Sequence, residues 1–253
     1  MKKSLFLFLL AGLLAACTGK KTETRQKTPD SDLVLSKEIS SEVQSDSVDY
    51  QEEESTGFLT EVDVEEYNRR RGTDEFHYKR GLVLYEIKNY SEGIKEFDTV
   101  IKISPNLGSA YVNRGKGFIQ LEEYQKALAD FQKAVAIDPS DSTAYLNLAI
   151  AHYQLNDFNG CIEANTRLLE LSPNNVMGYF NRGTAYGKIN DFRNAIADFN
   201  KAIQIDPGYT EAYFNLGLAY YWSNDKVHAC QNWAKARNLG SQKAARVIEK
   251  YCR

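Results

Sequence analysis

Asparagine recurs at 113, 147, 181 and 215, always 34 residues apart, with Lys79 at the corresponding place upstream. A side-chain amide offers both a donor and an acceptor, the same pair that a peptide group presents. A regular row of amides could therefore hold an extended chain by its backbone. The other use of such a row is packing between neighbouring structural units, and composition alone does not separate the two. Catalytic chemistry has less support. His77, His152 and His228 are scattered, with no pair at metal-ligand spacing on one helix, and no Cys-x-x-Cys, phosphate-cradling glycine loop or nucleophile motif occurs. The expectation is a binding protein rather than an enzyme, with no metal and no cofactor.

The elements that must carry the asparagines follow from the same interval. Pro105, Pro139, Pro173 and Pro207 keep it without a slip, as do Tyr111, Tyr145, Tyr179 and Tyr213. Gly81, Gly115, Gly183 and Gly217 also keep it, with Ala149 taking the place in the third unit. Each unit holds two amphipathic runs of about 13 residues separated by a short polar break, which suits two antiparallel helices. The proline stops the second helix before the next unit begins. Small residues at Gly93, Ala127, Cys161, Ala195 and Ala229 are followed four places on by Phe97, Phe131, Asn165, Phe199 and Trp233. Cys161 thus fills a small-residue place and reads as a buried hydrophobe.

This pattern resembles the tetratricopeptide repeat: an aromatic, then Gly, another aromatic, Ala, an aromatic, a small residue and a closing Pro. The resemblance implies an all-α, right-handed α-α superhelical solenoid of five hairpins, 74–107, 108–141, 142–175, 176–209 and 210–240. A capping helix over 241–253 would close its last open face. The seventh place is Arg80, Arg114 and Arg182 in the units whose twenty-third place is Glu96, Asp130 and Asp198; where it is Leu148 or Leu216, the partner is Ala164 or Asn232. Charge comes and goes together, so structural bridges Arg80–Glu96, Arg114–Asp130 and Arg182–Asp198 are expected. If the cap runs back along the preceding helix, the residue opposite Cys230 lies near 250, and a Cys230–Cys252 disulfide is geometrically reasonable. Two reduced, buried thiols are the alternative.

In the resembled family the first helix of each hairpin lines a concave groove, through places two, five, six, nine, twelve and thirteen. Carried over by position, the groove would hold Lys79 and the four asparagines, with Tyr78, Tyr85, Lys116, Tyr153, Phe180, Lys188, Phe214, Tyr221 and Trp222 around them. Helical spacing does not say which of the aromatics face the groove and which the core. The fifth places, Tyr78, Val112, Leu146, Phe180 and Phe214, contain no lysine, so the carboxylate clamp of chaperone-binding relatives is not reproduced.

The N-terminus adds a location. Lys2 and Lys3, an apolar run from Leu5 to Leu14, and Ala15 and Ala16 before Cys17 form a signal-peptide pattern. Leu14–Ala15–Ala16–Cys17 resembles the lipobox of bacterial lipoproteins, which implies a signal peptide over 1–16 and a diacylglycerol on Cys17. Each buried acyl methylene contributes about 0.8 kcal/mol, so two or three chains anchor a protein without a transmembrane helix. By the same resemblance Thr18, where Asp would favour the inner membrane, points to the outer one.

Residues 17–73 read as a lipidated start and an acidic tether, with thirteen carboxylates between Asp30 and Glu66 against the single Lys37. Such a segment cannot bury enough surface to offset chain entropy. Its reach is on the order of 40 Å. The remainder of the chain is nearly neutral, which gives nucleic acid no basic face. The sequence therefore leads to a lipid-anchored protein of the cell envelope, its body in the periplasm or at the cell surface, binding a protein or peptide partner as a scaffold or assembly factor. A periplasmic holdase or escort, and a glycan or cell-wall binding module, are the alternatives.

Overall fold

A computed structural model describes residues 72–252, all helical with no strand among them. The expected signal peptide, the lipidation site Cys17 and nearly all of the tether lie outside the described residues. The helices are α1 (Asp74–Glu86), α2 (Tyr90–Ile103), α3 (Gly108–Gln120), α4 (Tyr124–Ile137), α5 (Ser142–Gln154) and α6 (Phe158–Leu171). They continue as α7 (Val176–Lys188), α8 (Phe192–Ile205), α9 (Thr210–Trp222), α10 (Lys226–Asn238) and α11 (Gln242–Tyr251). Each packs against the helix before it and the helix after it, giving five hairpins and a final single helix.

The local sequence explains where the helices begin and end. Side chains of Asn89, Asp141, Asp157, Asn175, Asp191, Asp225 and Ser241 each accept a hydrogen bond from the backbone N–H three residues on. This satisfies amides that a helix start leaves unpaired. Each first helix ends in a left-handed residue, Lys88, Glu122, Asn156, Asn190 and Asn224, with φ between 60° and 66°. Asparagine tolerates that conformation best among non-glycine residues, so the last three turns are less strained than the first two. The repeated prolines contribute through their carbonyls as well. Tyr111 and Tyr179 hydroxyls donate to the carbonyls of Pro105 and Pro173 at 3.1 and 3.2 Å, tying each linker to the following helix.

The glycines at the eighth place make room for a ring. A methyl group on Gly115 would stand 2.5 Å from the Phe131 ring, and one on Gly217 would stand 2.4 Å from Trp233. Phe97, Phe131 and Trp233 are among the largest fully buried side chains. The eighth-place glycine is therefore the seat of the ring four places after the small residue of the second helix. In the third hairpin Ala149 and a fully buried Asn165 replace the glycine and the ring.

At the C-terminus α11 lays Ala244 and Val247 into the core. Tyr251 rests beside Tyr221 and Trp233, with ring centroids 5.2 and 6.4 Å away. Cys230 and Cys252 are joined in a disulfide across a Cα separation of 5.7 Å, closing a loop of 22 residues. A cross-link over a loop of this length contributes about 3 kcal/mol. Cys161 is buried and outside any disulfide.

Candidate functional site

The first helices of successive hairpins meet one another, α3 with α5, α5 with α7 and α7 with α9, so they form one continuous wall. The register between neighbours is visible at the first two hairpins. The Asn113 amide donates to the Tyr78 hydroxyl at 2.7 Å, and the Tyr85 hydroxyl donates to the Asn113 carbonyl at 3.0 Å. The fifth and twelfth places of one hairpin thus stand against the sixth place of the next.

That register corrects the uniform row of amides. Asn113 is occupied by Tyr78. Asn147 turns onto its own helix, donating to the Thr143 carbonyl at 2.8 Å. Asn181 and Asn215 are 8% and 2% exposed, and neither amide atom of Asn215 meets a hydrogen-bond partner among the described residues. The physical reason is the fifth place of the preceding hairpin, which is Tyr78 before Asn113 but Val112, Leu146 and Phe180 before the others. Only the tyrosine can accept.

Several aromatics expected in the groove belong to the core instead. Phe180 and Phe214 are 4% and 2% exposed, and Tyr153 is 7% exposed. Phe180 packs on Tyr209, with centroids 4.9 Å apart, and the Phe214 carbonyl accepts from the Trp233 indole at 3.1 Å. Tyr78 and Tyr85 lie half-buried against Phe97, with centroids 5.5 and 5.3 Å away. Tyr221 is half-buried among Trp222, Trp233 and Tyr251. A first helix is held by the second helices before and after it, so most of its circumference is interior.

The charged groups divide into two kinds. Arg114 grips Asp130 through two bonds of 2.9 and 2.6 Å and reaches Asp98 of the preceding hairpin at 2.6 Å. Arg182 holds Asp198 through two bonds of 2.8 Å and donates to Thr166 of the preceding hairpin at 3.1 Å. The outer partners Asp98 and Thr166 escape a reading of single repeats, although each lies 16 residues before its arginine, just as the carboxylate lies 16 after. Arg80 makes only a 3.6 Å contact with Glu96, whose closer partner is His77 at 2.6 Å.

Lys79 pairs with Glu75 at 3.1 Å. Lys116 and Lys188 differ from these. Burial pulls both ammonium groups below the ordinary lysine range, and for Lys116 the field of Asp141 opposes the shift. Among the described residues no carboxylate lies within ion-pair distance of either. Lys188 sits over the rings of Tyr153 and Phe158, 5.9 and 6.0 Å from their centroids. No group of three or more His, Cys, Asp or Glu among the described residues could hold a metal ion.

Stacked hairpins with one wall of first helices define a helical-repeat scaffold with a binding face. Models of the tetratricopeptide repeat match residues 74–107, 142–175 and 176–209, and a further TPR repeat model matches 115–156. The chain is therefore a tetratricopeptide-repeat protein, and such proteins are in general non-enzymatic scaffolds. No curated protein matches the sequence.

Among solved structures, MamA is 23% identical with a TM-score of 0.64, covering 69% of this chain and 95% of its own. YrrB, a TPR protein with an unusual peptide-binding site, is 18% identical with a TM-score of 0.65, covering 74% of this chain and 97% of its own. A form of MamA from Desulfovibrio magneticus RS-1 is 16% identical with a TM-score of 0.63, covering 66% and 94%. These likenesses establish the fold.

Proposed function

We propose that this protein is a lipid-anchored envelope scaffold whose first-helix groove binds a segment of another protein. The observation that carries the reading is the continuous wall of first helices, which holds the half-buried Lys116 and Lys188 with no carboxylate at ion-pair distance among the described residues. Buried polar groups are ordinarily paired, and a partner chain would supply acceptors here. YrrB supports the reading by its fold and its peptide-binding site. The Cys230–Cys252 disulfide suits an oxidising compartment and so agrees with export by the N-terminal signal pattern. The lipobox resemblance at Leu14–Cys17 supports the anchor.

The test places a photoreactive residue at Gln120 or Ile150 on the first helices, and at Lys133 or Glu163 on the second helices, in cells. The groove positions should capture one discrete partner, in the membrane fraction, while the second-helix positions do not. With Cys17→Ser the captured complex should move to the soluble fraction. Capture from the second helices alone would reject the groove, and a complex that still pellets with Cys17→Ser would reject the anchor.

A further inference from the structure

The near-neutral body divides into two unlike parts. Residues 74–225 carry nineteen carboxylates against fourteen lysines and arginines, whereas 226–251 carry six lysines and arginines against the single Glu249. All six, Lys226, Lys235, Arg237, Lys243, Arg246 and Lys250, are exposed. Three stand on α10 and three on α11, so the basic end of the chain coincides with its last second helix and the cap.

Packing fixes how these cations are presented. Ala244 and Val247 turn one face of α11 into the core, and Lys243, Arg246 and Lys250, spaced three and four apart, share the face away from it. The Cys230–Cys252 disulfide ties the end of α11 to α10, so the cations of both helices belong to one unit. Lys235 lies over the Tyr213 ring at 5.9 Å and Lys250 over Tyr251 at 5.2 Å, their stems laid along the protein. At the turn between the helices Leu239 is 37% exposed, with Arg237 and Lys243 on either side of it in the chain. Spread cations around an apolar turn suit a sheet of negative charge with an oily layer beneath it, the surface of an anionic bilayer. An acidic protein would match the charge alone.

Resting on the anchor proposed above, we infer that α10 and α11 make a second contact with the membrane, docking on anionic lipid headgroups. An anchored chain meets its bilayer at high effective concentration, so a few weak charge contacts suffice. The groove helices α3, α5 and α7 contribute none of these cations, and docking is compatible with a bound partner.

The chain's two tryptophans, Trp222 and Trp233, both lie at this end and serve as energy donors. The purified full chain is reconstituted in vesicles of phosphatidylcholine alone or with about 30% phosphatidylglycerol, each containing a dansyl-headgroup lipid as acceptor. Transfer should rise at least about twofold on the anionic vesicles and fall back in about 0.5 M salt. Lys243→Gln, Arg246→Gln and Lys250→Gln together should abolish the rise. Lys102→Gln, Lys126→Gln and Lys133→Gln together, an equal loss of exposed charge on α2 and α4, should keep it. Circular dichroism checks that both variants are folded. Equal transfer on the two kinds of vesicle, from a chain that floats with both, overturns the lipid contact and leaves the anchor standing. If soluble polyglutamate is bound through the same three residues in its place, the face belongs to an acidic protein. A rise lost equally in the two variants reports net charge and also overturns the contact. A chain that floats with the anionic vesicles alone supports the contact and overturns the anchor, and one that floats with neither overturns both.

Discussion

Replacing Arg114 with Ala should lower stability by about 3–5 kcal/mol, the range for a buried charge stripped of its partner. Asp130 is buried, and burial already holds its carboxyl above the usual range against the pull of Arg114. Arg114 is held in its charged form chiefly by its bonds to Asp130. The same bridge thus leaves its two partners on opposite sides of the balance. Desolvating the carboxylate costs more than the arginine returns to it, while the arginine gains from two carboxylates at once.

The bridge is accordingly worth little against an apolar pair and much against a single deletion. Arg114→Met with Asp130→Leu should cost less than Arg114→Ala alone, in chemical denaturation followed by circular dichroism. The pH dependence has a definite sign. A carboxyl whose folded pKa is raised contributes stability that is fully present below its unfolded value, near 4, and is lost as pH rises. Without Arg114 the shift grows, so the variant's deficit should shrink as pH falls from 7 towards 4. A deficit that is unchanged or larger on acidification would contradict this account of Asp130.

The second large effect concerns the third hairpin, where Asn165 stands fully buried with its side-chain oxygen unpaired. Its amide nitrogen is held by the Cys161 carbonyl at 2.9 Å. Asn165→Phe by itself should destabilise or leave stability flat, because the Ala149 methyl occupies the room that Gly115 leaves for Phe131. Adding Ala149→Gly should reverse the sign. A buried phenylalanine contributes about 1.5–3 kcal/mol and removing the unpaired oxygen about 1–3, while glycine within a helix costs about 1. The double variant should gain about 2–4 kcal/mol, with strong non-additivity in a double-mutant cycle. The buried Cys161 thiol should also label more slowly. Additive effects of the two substitutions would show that the glycine and the ring are not a matched pair.

How much is legible in the sequence depends on whether a feature lives within one repeat or between two. Helix limits, the place of each turn and the Arg114 and Arg182 bridges are set by residues inside a single unit, where the interval of 34 aligns cause with effect. The state of each asparagine is set by its neighbour. Asn113 meets Tyr78 and Asn215 does not, a difference that becomes readable once the fifth place of one hairpin is known to face the sixth of the next. Phe180, Phe214 and Tyr153 are misplaced in the groove for a related reason. Helical periodicity marks one apolar face, but a helix packed on two sides has little outer face, and Phe214 to Ala219 are buried without a break.

The most direct test is amide hydrogen exchange on the full chain, with and without a saturating amount of the partner captured from the groove positions. Protection should rise along α3, α5 and α7, strongest near Lys116 and Lys188, with α4, α6 and α8 unchanged on their outer faces. Protection that rises instead on the second helices, while α3, α5 and α7 exchange as before, would contradict a groove formed by the first helices.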